Sequence, residues 1–470
     1  MSTFDFGFDN FEDSAREDHL RDLVSSFEER PSSYFDSGDL ERIATYYYER
    51  GHLDDALRAI DHLLELHPYT SDAWMRRGIL LDHMGRHEDA LEAYDQALDL
   101  NPVDTETLIN RGVALENLGR TDAALASYDQ ALSINPLHSE ALFNQGIMLE
   151  KADRLEEAIA TLERCADIAP DHPEVWYELG FCHDRLGNDE QSVACYDRHL
   201  DLDPYSHDAW YNRGIVLNRI GQYDKAVDSY DMAIAIQSDF ASAYYNRGNA
   251  LANAGRLEEA VDSYMKVVEL EGPDASSFYN IALAFEEMGD LDAACEYYKR
   301  ALDENTSYAD AWYGLGHCHD AAGRVMQALE CFDHALSLNT NSAKFWRAKA
   351  DCTFKAGRLH DALDAYETTV HLDDTSALSW IGYAETLLAL ERPADALDAY
   401  RHAVDLAPDR AGTYVRQAKA LLELGRPDES LDALQRAFQL DPDTRDTLRY
   451  THPDLYRYDL VRYWLDRNHV

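Results

Sequence analysis

Lysine is scarce in this chain: it supplies eight of 42 basic residues, set against 89 acids of which 56 are aspartate. The net charge is −47, and the acids are spread along every segment rather than gathered in a tail. A surface without clustered cations cannot neutralise phosphates, which argues against nucleic acid and against an anionic membrane as partners. Long apolar runs are missing too. No stretch approaches the roughly 20 apolar residues of a membrane span, and the opening MSTFDFGFDNFED lacks the basic and apolar regions of a signal peptide. Cysteine is sparse: seven residues, an odd number, with no CxxC pair. That argues against a disulfide framework and a zinc site, and for a reducing compartment. With 23 glycines and 13 prolines the chain is not of low complexity. A soluble, cytoplasmic protein without metal or cofactor is expected. A charge of −47 repels itself in dilute salt, whereas at about 1 M salt the Debye length falls to roughly 3 Å. The Asp-rich, Lys-poor balance resembles that of chains from a salt-loaded cytoplasm, so a halophilic origin is expected.

What the chain has instead is a period. From Ser37 to Thr444 it divides into twelve blocks of 34 residues without insertion or deletion. Position 4 is large and apolar (Leu40, Trp74, Trp176, Trp210, Trp312), and position 8 is Gly or Ala throughout. Position 20 is Ala in ten blocks and Ser in two (Ser192, Ser430), and position 24 is aromatic in nine. Position 15 is Gly in ten, with Asp153 and Glu391 as exceptions, and position 32 is Pro in seven. Positions 4, 8 and 11 share one face of a first helix; 20, 24, 27 and 28 share one face of a second. The glycine near 15 provides a left-handed residue to end the first helix, and proline at 32 ends the second. Small residues at 8 and 20 let the two backbones approach, while bulky ones at 4 and 24 fill the space beside them. A hairpin of this size cannot bury its apolar face alone, so neighbours must stack.

The pattern Trp-x-x-x-Gly, then Gly, Ala, Tyr, Ala and Pro, best seen in AWMRRGILLDHMGRHEDALEAYDQALDLNP (73–102), resembles the tetratricopeptide repeat, TPR. The resemblance covers residues 37–444 and implies an all-α, right-handed α-solenoid of antiparallel helix pairs whose first helices line a concave groove. It also decides how to read Cys182, His183 and Asp184, which suggest a nucleophile with its base. They occupy positions 10 to 12 of repeat five, and Cys318-His319-Asp320 repeats the triplet four repeats on. Adjacent helical residues point about 100° apart, so the three cannot converge, and position 10, also Cys352, reads as a small buried side chain.

Residues 1–13 form an acidic aromatic segment. In 14–36, Leu20, Leu23, Val24 and Phe27 are spaced as a short amphipathic cap ending before Pro31. In 445–470, Tyr456, Leu460, Tyr463 and Trp464 predict a C-terminal capping helix with Thr451 or Asp454 as N-cap, and a dimer through the terminal helices is the alternative to a monomer.

No Walker loop, dinucleotide-binding GxGxxG, HExxH or nucleophile elbow is present, and the flanks are too short for an enzyme domain. Function is therefore expected on the face that the resemblance makes concave. Position 6 carries Asn110, Asn144, Asn212, Asn246 and Asn280, interrupted by Glu178 and ended by Gly314, Ala348 and Gly382. Asparagine both donates and accepts, so such a ladder can pair with an extended backbone of any sequence. Similar ladders hold peptides in some TPR superhelices. Position 5 adds an aromatic stripe, Phe143, Tyr177, Tyr211, Tyr245, Tyr279 and Tyr313, suited to anchoring partner side chains. Together they make repeats 4 to 9 the candidate groove. Lys344, Arg347, Lys349 and Lys355 form a candidate patch for an acidic ligand. It departs from the carboxylate clamp of chaperone-binding TPRs, since Ala348 and Gly314 stand where that pattern wants Arg and Asn. The segment Phe4–Asp13 is a candidate placeholder ligand for this patch. The expected function is a non-catalytic scaffold binding an extended peptide of a protein partner; a self-assembling module and an accessory subunit of an enzyme complex are the alternatives.

Overall fold

The computed structural model describes residues 14–29 and 35–467, and every regular element among them is an α-helix. The segment 1–13, and with it the placeholder ligand, lies outside the described residues. The chain divides into two compact units, 1–238 and 239–470. The first opens with the helix Ser14–Glu29 and continues with six hairpins, from Ser37–Glu49 paired with Leu53–Leu66 to His207–Arg219 paired with Tyr223–Ile236. The second holds six more, from Ala241–Asn253 with Leu257–Glu271 to Ala411–Glu423 with Pro427–Leu440, and ends in three short helices. Within each unit every hairpin packs on the next, which makes each an α-solenoid of antiparallel helix pairs.

One local device closes each hairpin. The residue at position 15 lies in the left-handed region, as at Gly85 (φ 73°) and Gly221 (φ 77°). Asp153 (φ 60°) and Glu391 (φ 59°) are forced into the same conformation, at a cost of roughly 1–2 kcal/mol for a residue with a Cβ. The turn is set by its place in the repeat, and the residue follows.

Packing inside the hairpin turns on positions 8 and 24. A Cβ added at Gly214 would lie 2.6 Å from the Tyr230 ring, and one at Gly316 would lie 2.7 Å from Phe332. The ring of the second helix therefore rests directly on the backbone of the first. Where position 8 is Ala282 or Ala350, that seat is closed. Tyr298 and Tyr366 lie instead against Gly314 and Gly382, at position 6 of the following repeat. A Cβ at Gly382 would stand 2.5 Å from the Tyr366 ring. The loss of asparagine at these two places thus has a packing cause. Alanines at position 20 are fully buried, and the two serines there donate to position-8 carbonyls: Ser192 Oγ to Gly180 O at 2.8 Å and Ser430 Oγ to Ala418 O at 2.9 Å.

Two expectations need correction. The tryptophans at position 4 are half-buried and pack against the core, and they do more than fill space. Each indole N–H donates to the carbonyl six residues upstream, Trp74 to Pro68 at 2.9 Å and Trp346 to Thr340 at 2.8 Å, and so staples the turn between repeats. At the C-terminus a single capping helix is replaced by Asp443–Thr451, Pro453–Tyr456 and Asp459–Arg467. His452, not Thr451 or Asp454, is the N-cap before Pro453. The break rotates the following residues, so Leu455, Val461 and Leu465 are buried while Leu460 and Tyr463 are exposed. At the other end Val24 and Phe27 are buried, and Tyr47 Oη donates to Glu28 Oε1 at 3.0 Å.

Candidate peptide-binding face

Positions 5 and 6 sit in the second turn of each first helix, and their side chains diverge by about 100°. Position 5 turns toward the second helix of its own hairpin. Tyr177 meets Tyr196 edge-on at 5.8 Å between ring centres, and Tyr245 meets Tyr264 likewise at 5.8 Å. Position 6 turns toward the repeat before it. In the first unit Asn212 Nδ2 donates to Tyr177 Oη at 2.9 Å; in the second, Asn280 Nδ2 donates to Tyr245 Oη at 2.9 Å. In these pairs ladder and stripe are one structure. Each pair ties two repeats together and still presents a tyrosine O–H and an asparagine carbonyl.

The remaining stripe residues are also half-buried. Tyr211 packs on Tyr230 at 6.0 Å, Phe143 on His172 at 5.0 Å and Tyr279 on Tyr308 at 4.8 Å. Burial, with the charge of Asp310, pushes the Tyr279 hydroxyl up to about 12, so it stays a donor. Asn246 is half-buried. Asn144 is half-buried, and its side chain hydrogen-bonds to none of the described residues. Asn110 is buried, with Nδ2 lacking a partner. One repeat before these two stand Ile109 and Met75, which have no hydroxyl to receive the amide.

Glu178 is a residue whose role sequence reasoning missed. One repeat before it stands Phe143, again without a hydroxyl, and its carboxyl has no hydrogen-bond partner among the described residues. Burial, then the charge of Glu150, pushes its pKa up to about 7, against the pull of Lys151. Protonated, it carries one donor and one acceptor, as an amide does. The apolar residue at position 5 one repeat upstream was the available signal.

The four cations of the candidate patch do not act as one cluster. Lys349 Nζ pairs with Asp333 at 2.6 Å and Lys355 Nζ with Asp320 at 2.6 Å. Lys344 Nζ lies 4.1 Å above the Tyr313 ring and 3.9 Å from Asp310. Arg347 has no carboxylate within ion-pair distance among the described residues. Beside them His317 Nδ1 lies 2.7 Å from Glu286 Oε1, while Tyr298 Oη donates to Glu286 Oε2 at 2.6 Å. That carboxylate raises the His317 pKa.

Cys182, His183 and Asp184 diverge. The thiol is buried and pushed up to about 12, His183 lies 3.4 Å from the Asn188 side chain, and Asp184 pairs with Arg219. Cys318 and Cys352 are likewise fully buried. Among the described residues no three His, Cys, Asp or Glu side chains are grouped to hold a metal.

Models of the tetratricopeptide repeat match residues 42–105, 109–173 and 347–411, then 149–212 and 286–352. Further models match 216–255, 241–272 and 411–444, so that together they span most of the chain. The chain is a tetratricopeptide-repeat protein. No curated protein matches it in sequence. Among solved structures this TPR protein is similar to MamA, at 26% identity over 36% of this chain and 91% of that one, TM-score 0.35. MamA from Desulfovibrio magneticus RS-1 shares 25% identity over 36% of this chain and 96% of that one, TM-score 0.34. YrrB, described as a TPR protein with an unusual peptide-binding site, shares 22% over 42% and 99%, TM-score 0.38. The APC/C hetero-tetramer Cut9–Hcn1 shares 15% over 97% and 94%, TM-score 0.40.

Proposed function

We propose that this TPR protein is a non-catalytic interaction scaffold that holds extended segments of a protein partner on the first-helix faces of its units. The observation that carries the reading is the tyrosine–asparagine pair. With the amide bound to the hydroxyl oxygen, as Asn212 is to Tyr177 and Asn280 to Tyr245, the pair offers one O–H donor and one carbonyl acceptor. A peptide unit needs one of each. The pair is held before any ligand arrives, so little ordering entropy is lost on binding. Asn144 and protonated Glu178 extend the same chemistry in the first unit. In the second, Arg347 and Lys344 favour a segment carrying an acidic side chain, with Tyr279 and Tyr313 as apolar anchors.

The test separates ligand contact from repeat stapling. Affinity capture in molar salt compares wild type with Asn212→Ala/Asn246→Ala/Asn280→Ala and with Tyr177→Phe/Tyr245→Phe, captured proteins being identified by mass spectrometry. The phenylalanine variant loses the staple and keeps the amides. The expected result is a partner retained, more weakly, by the phenylalanine variant and lost by the alanine variant. Capture by the alanine variant equal to wild type overturns the ladder as a binding element.

A further inference from the structure

The turns between repeats of the first unit show something their counterparts in the second do not. Position 33, in the turn that follows each second helix, carries Tyr69, Val103, Leu137 and Tyr205, exposed by 85%, 65%, 70% and 79%. The corresponding residues of the second unit are Pro273, Ser307, Asn341, Thr375 and Asp409. The repeat itself therefore does not require an apolar residue here; the hydrophobic choice belongs to one unit. Occupying one phase of a stacked repeat, the four side chains lie along one edge of that unit, interrupted at Asp171.

The backbone beneath them is held from two sides. Asn135 Oδ1 accepts from Leu137 N at 3.3 Å, and Asp203 Oδ1 accepts from Tyr205 N at 3.1 Å. The indole staples of Trp74 and Trp210 fix the neighbouring carbonyls of Pro68 and Pro204. A side chain presented by so fixed a turn loses little backbone freedom when it is covered. Leu66, Leu100 and Ile134, at position 30, are exposed by 42%, 40% and 40% beside them and widen the apolar strip.

Charge says what covers it. The five stretches 65–72, 99–106, 133–140, 167–174 and 201–208 contain twelve acids and neither lysine nor arginine. Two arginines reach these turns: Arg164, from a second helix, binds the Pro136 carbonyl, and Arg76 pairs with Asp72 at 2.8 Å, so the acids stay in large excess over the cations that meet them. A second copy of this chain would bring the same acids against these and be repelled.

We propose that the turn edge of the first unit is a docking ridge for an amphipathic segment of a protein partner, one with an apolar spine and lysine or arginine on its flanks. Tyr69, Val103, Leu137 and Tyr205 supply the apolar contact; Asp104, Asp203 and their neighbours select the basic flanks. Within the first unit the ridge residues stand in the turns, whereas Tyr177 and Asn212 stand on first helices.

A leucine–lysine amphipathic peptide of about 18 residues is the probe, titrated by calorimetry in about 1 M KCl, where unspecific attraction to the −47 surface is screened. A leucine–glutamate peptide of the same pattern is the control. Wild type is expected to bind the first and not the second. Tyr69→Ser/Val103→Ser/Leu137→Ser/Tyr205→Ser should weaken binding at least about tenfold with unchanged circular dichroism, each loss of about 1.4 kcal/mol being one factor of ten. Asn212→Ala/Asn280→Ala should bind the peptide as wild type does. Equal binding by wild type and the serine variant overturns the ridge. So does light scattering that finds a wild-type dimer which the serine variant abolishes, because a second copy then covers this edge.

Discussion

Glu178 is the side chain whose protonation matters most on the first-helix face of the first unit. Its pKa in the folded chain, about 7, stands well above the ordinary glutamate value of about 4.3 because burial disfavours the charge and Glu150 repels it. The folded state therefore holds a proton that the unfolded chain releases. Stability from this group is fully present below pH about 4.3 and is lost as pH rises through about 7. Glu178→Gln keeps the shape and removes the titration. Its thermal midpoint should match wild type near pH 4.5 and exceed it above pH 7, the gap opening across that window in paired melts. A constant gap at every pH sinks the assignment. If the residue contacts backbone, partner affinity of wild type should also fall from pH 6 to 8 while that of the glutamine variant holds. The identity of Glu178 as a break in the ladder was plain from the repeat phase. Its proton was not, because that depends on how deeply neighbouring side chains bury it.

Elements pair in this protein through a trade between backbone and ring. Six of the twelve repeats seat a position-24 ring over a glycine at position 8 of the same hairpin, as Tyr230 sits over Gly214. Repeats eight and ten use alanine there and move the ring to Gly314 or Gly382 in the next first helix. The two arrangements are alternatives, so their substitutions should couple. Gly382→Ala alone drives a Cβ into Tyr366 and should cost about 1–3 kcal/mol in urea denaturation. Adding Ala350→Gly reopens the usual seat and should recover much of that loss. If the double variant is no more stable than the single one, the ring does not exchange seats. Helix existence and order could be read from the period, because spacing at 3.6 residues per turn is a local property. The exchange between repeats could not, since Gly314 and Gly382 look from sequence like plain gaps in a row of asparagines. The C-terminal helices show the converse case: outside the period, Tyr456, Leu460, Tyr463 and Trp464 gave a reasonable helical face, and the turn before Asp459 split it, leaving Tyr456 and Trp464 against the core while Leu460 and Tyr463 face outward.

At the scale of the whole molecule the excess of acid dominates. Many of the described cations are already engaged in local pairs, such as Arg256 with Glu259 at 2.7 Å and Arg185 with Glu150 at 2.8 Å. Exposed pairs of this kind contribute roughly 0–1 kcal/mol each and leave a charge of −47 in place. Screening it removes repulsion over most of the surface, while buried contacts such as Tyr196 and Tyr230 are not weakened. The unfolding midpoint should therefore climb as KCl is raised from about 0.1 M to about 2 M; a flat or falling curve would remove the halophilic reading. No helix among the described residues is long and apolar enough to cross a membrane. The sequence by itself determined the repeat: its length, its phase, the left-handed corner at position 15 and the small residues that let helices touch, because each is a demand made by neighbours within a turn or two of helix. Only the tertiary structure decided which polar groups are spent on the fold and which remain for a partner. Asn212 and Tyr177 are 35 residues apart, and whether they meet depends on how one hairpin is laid against the next.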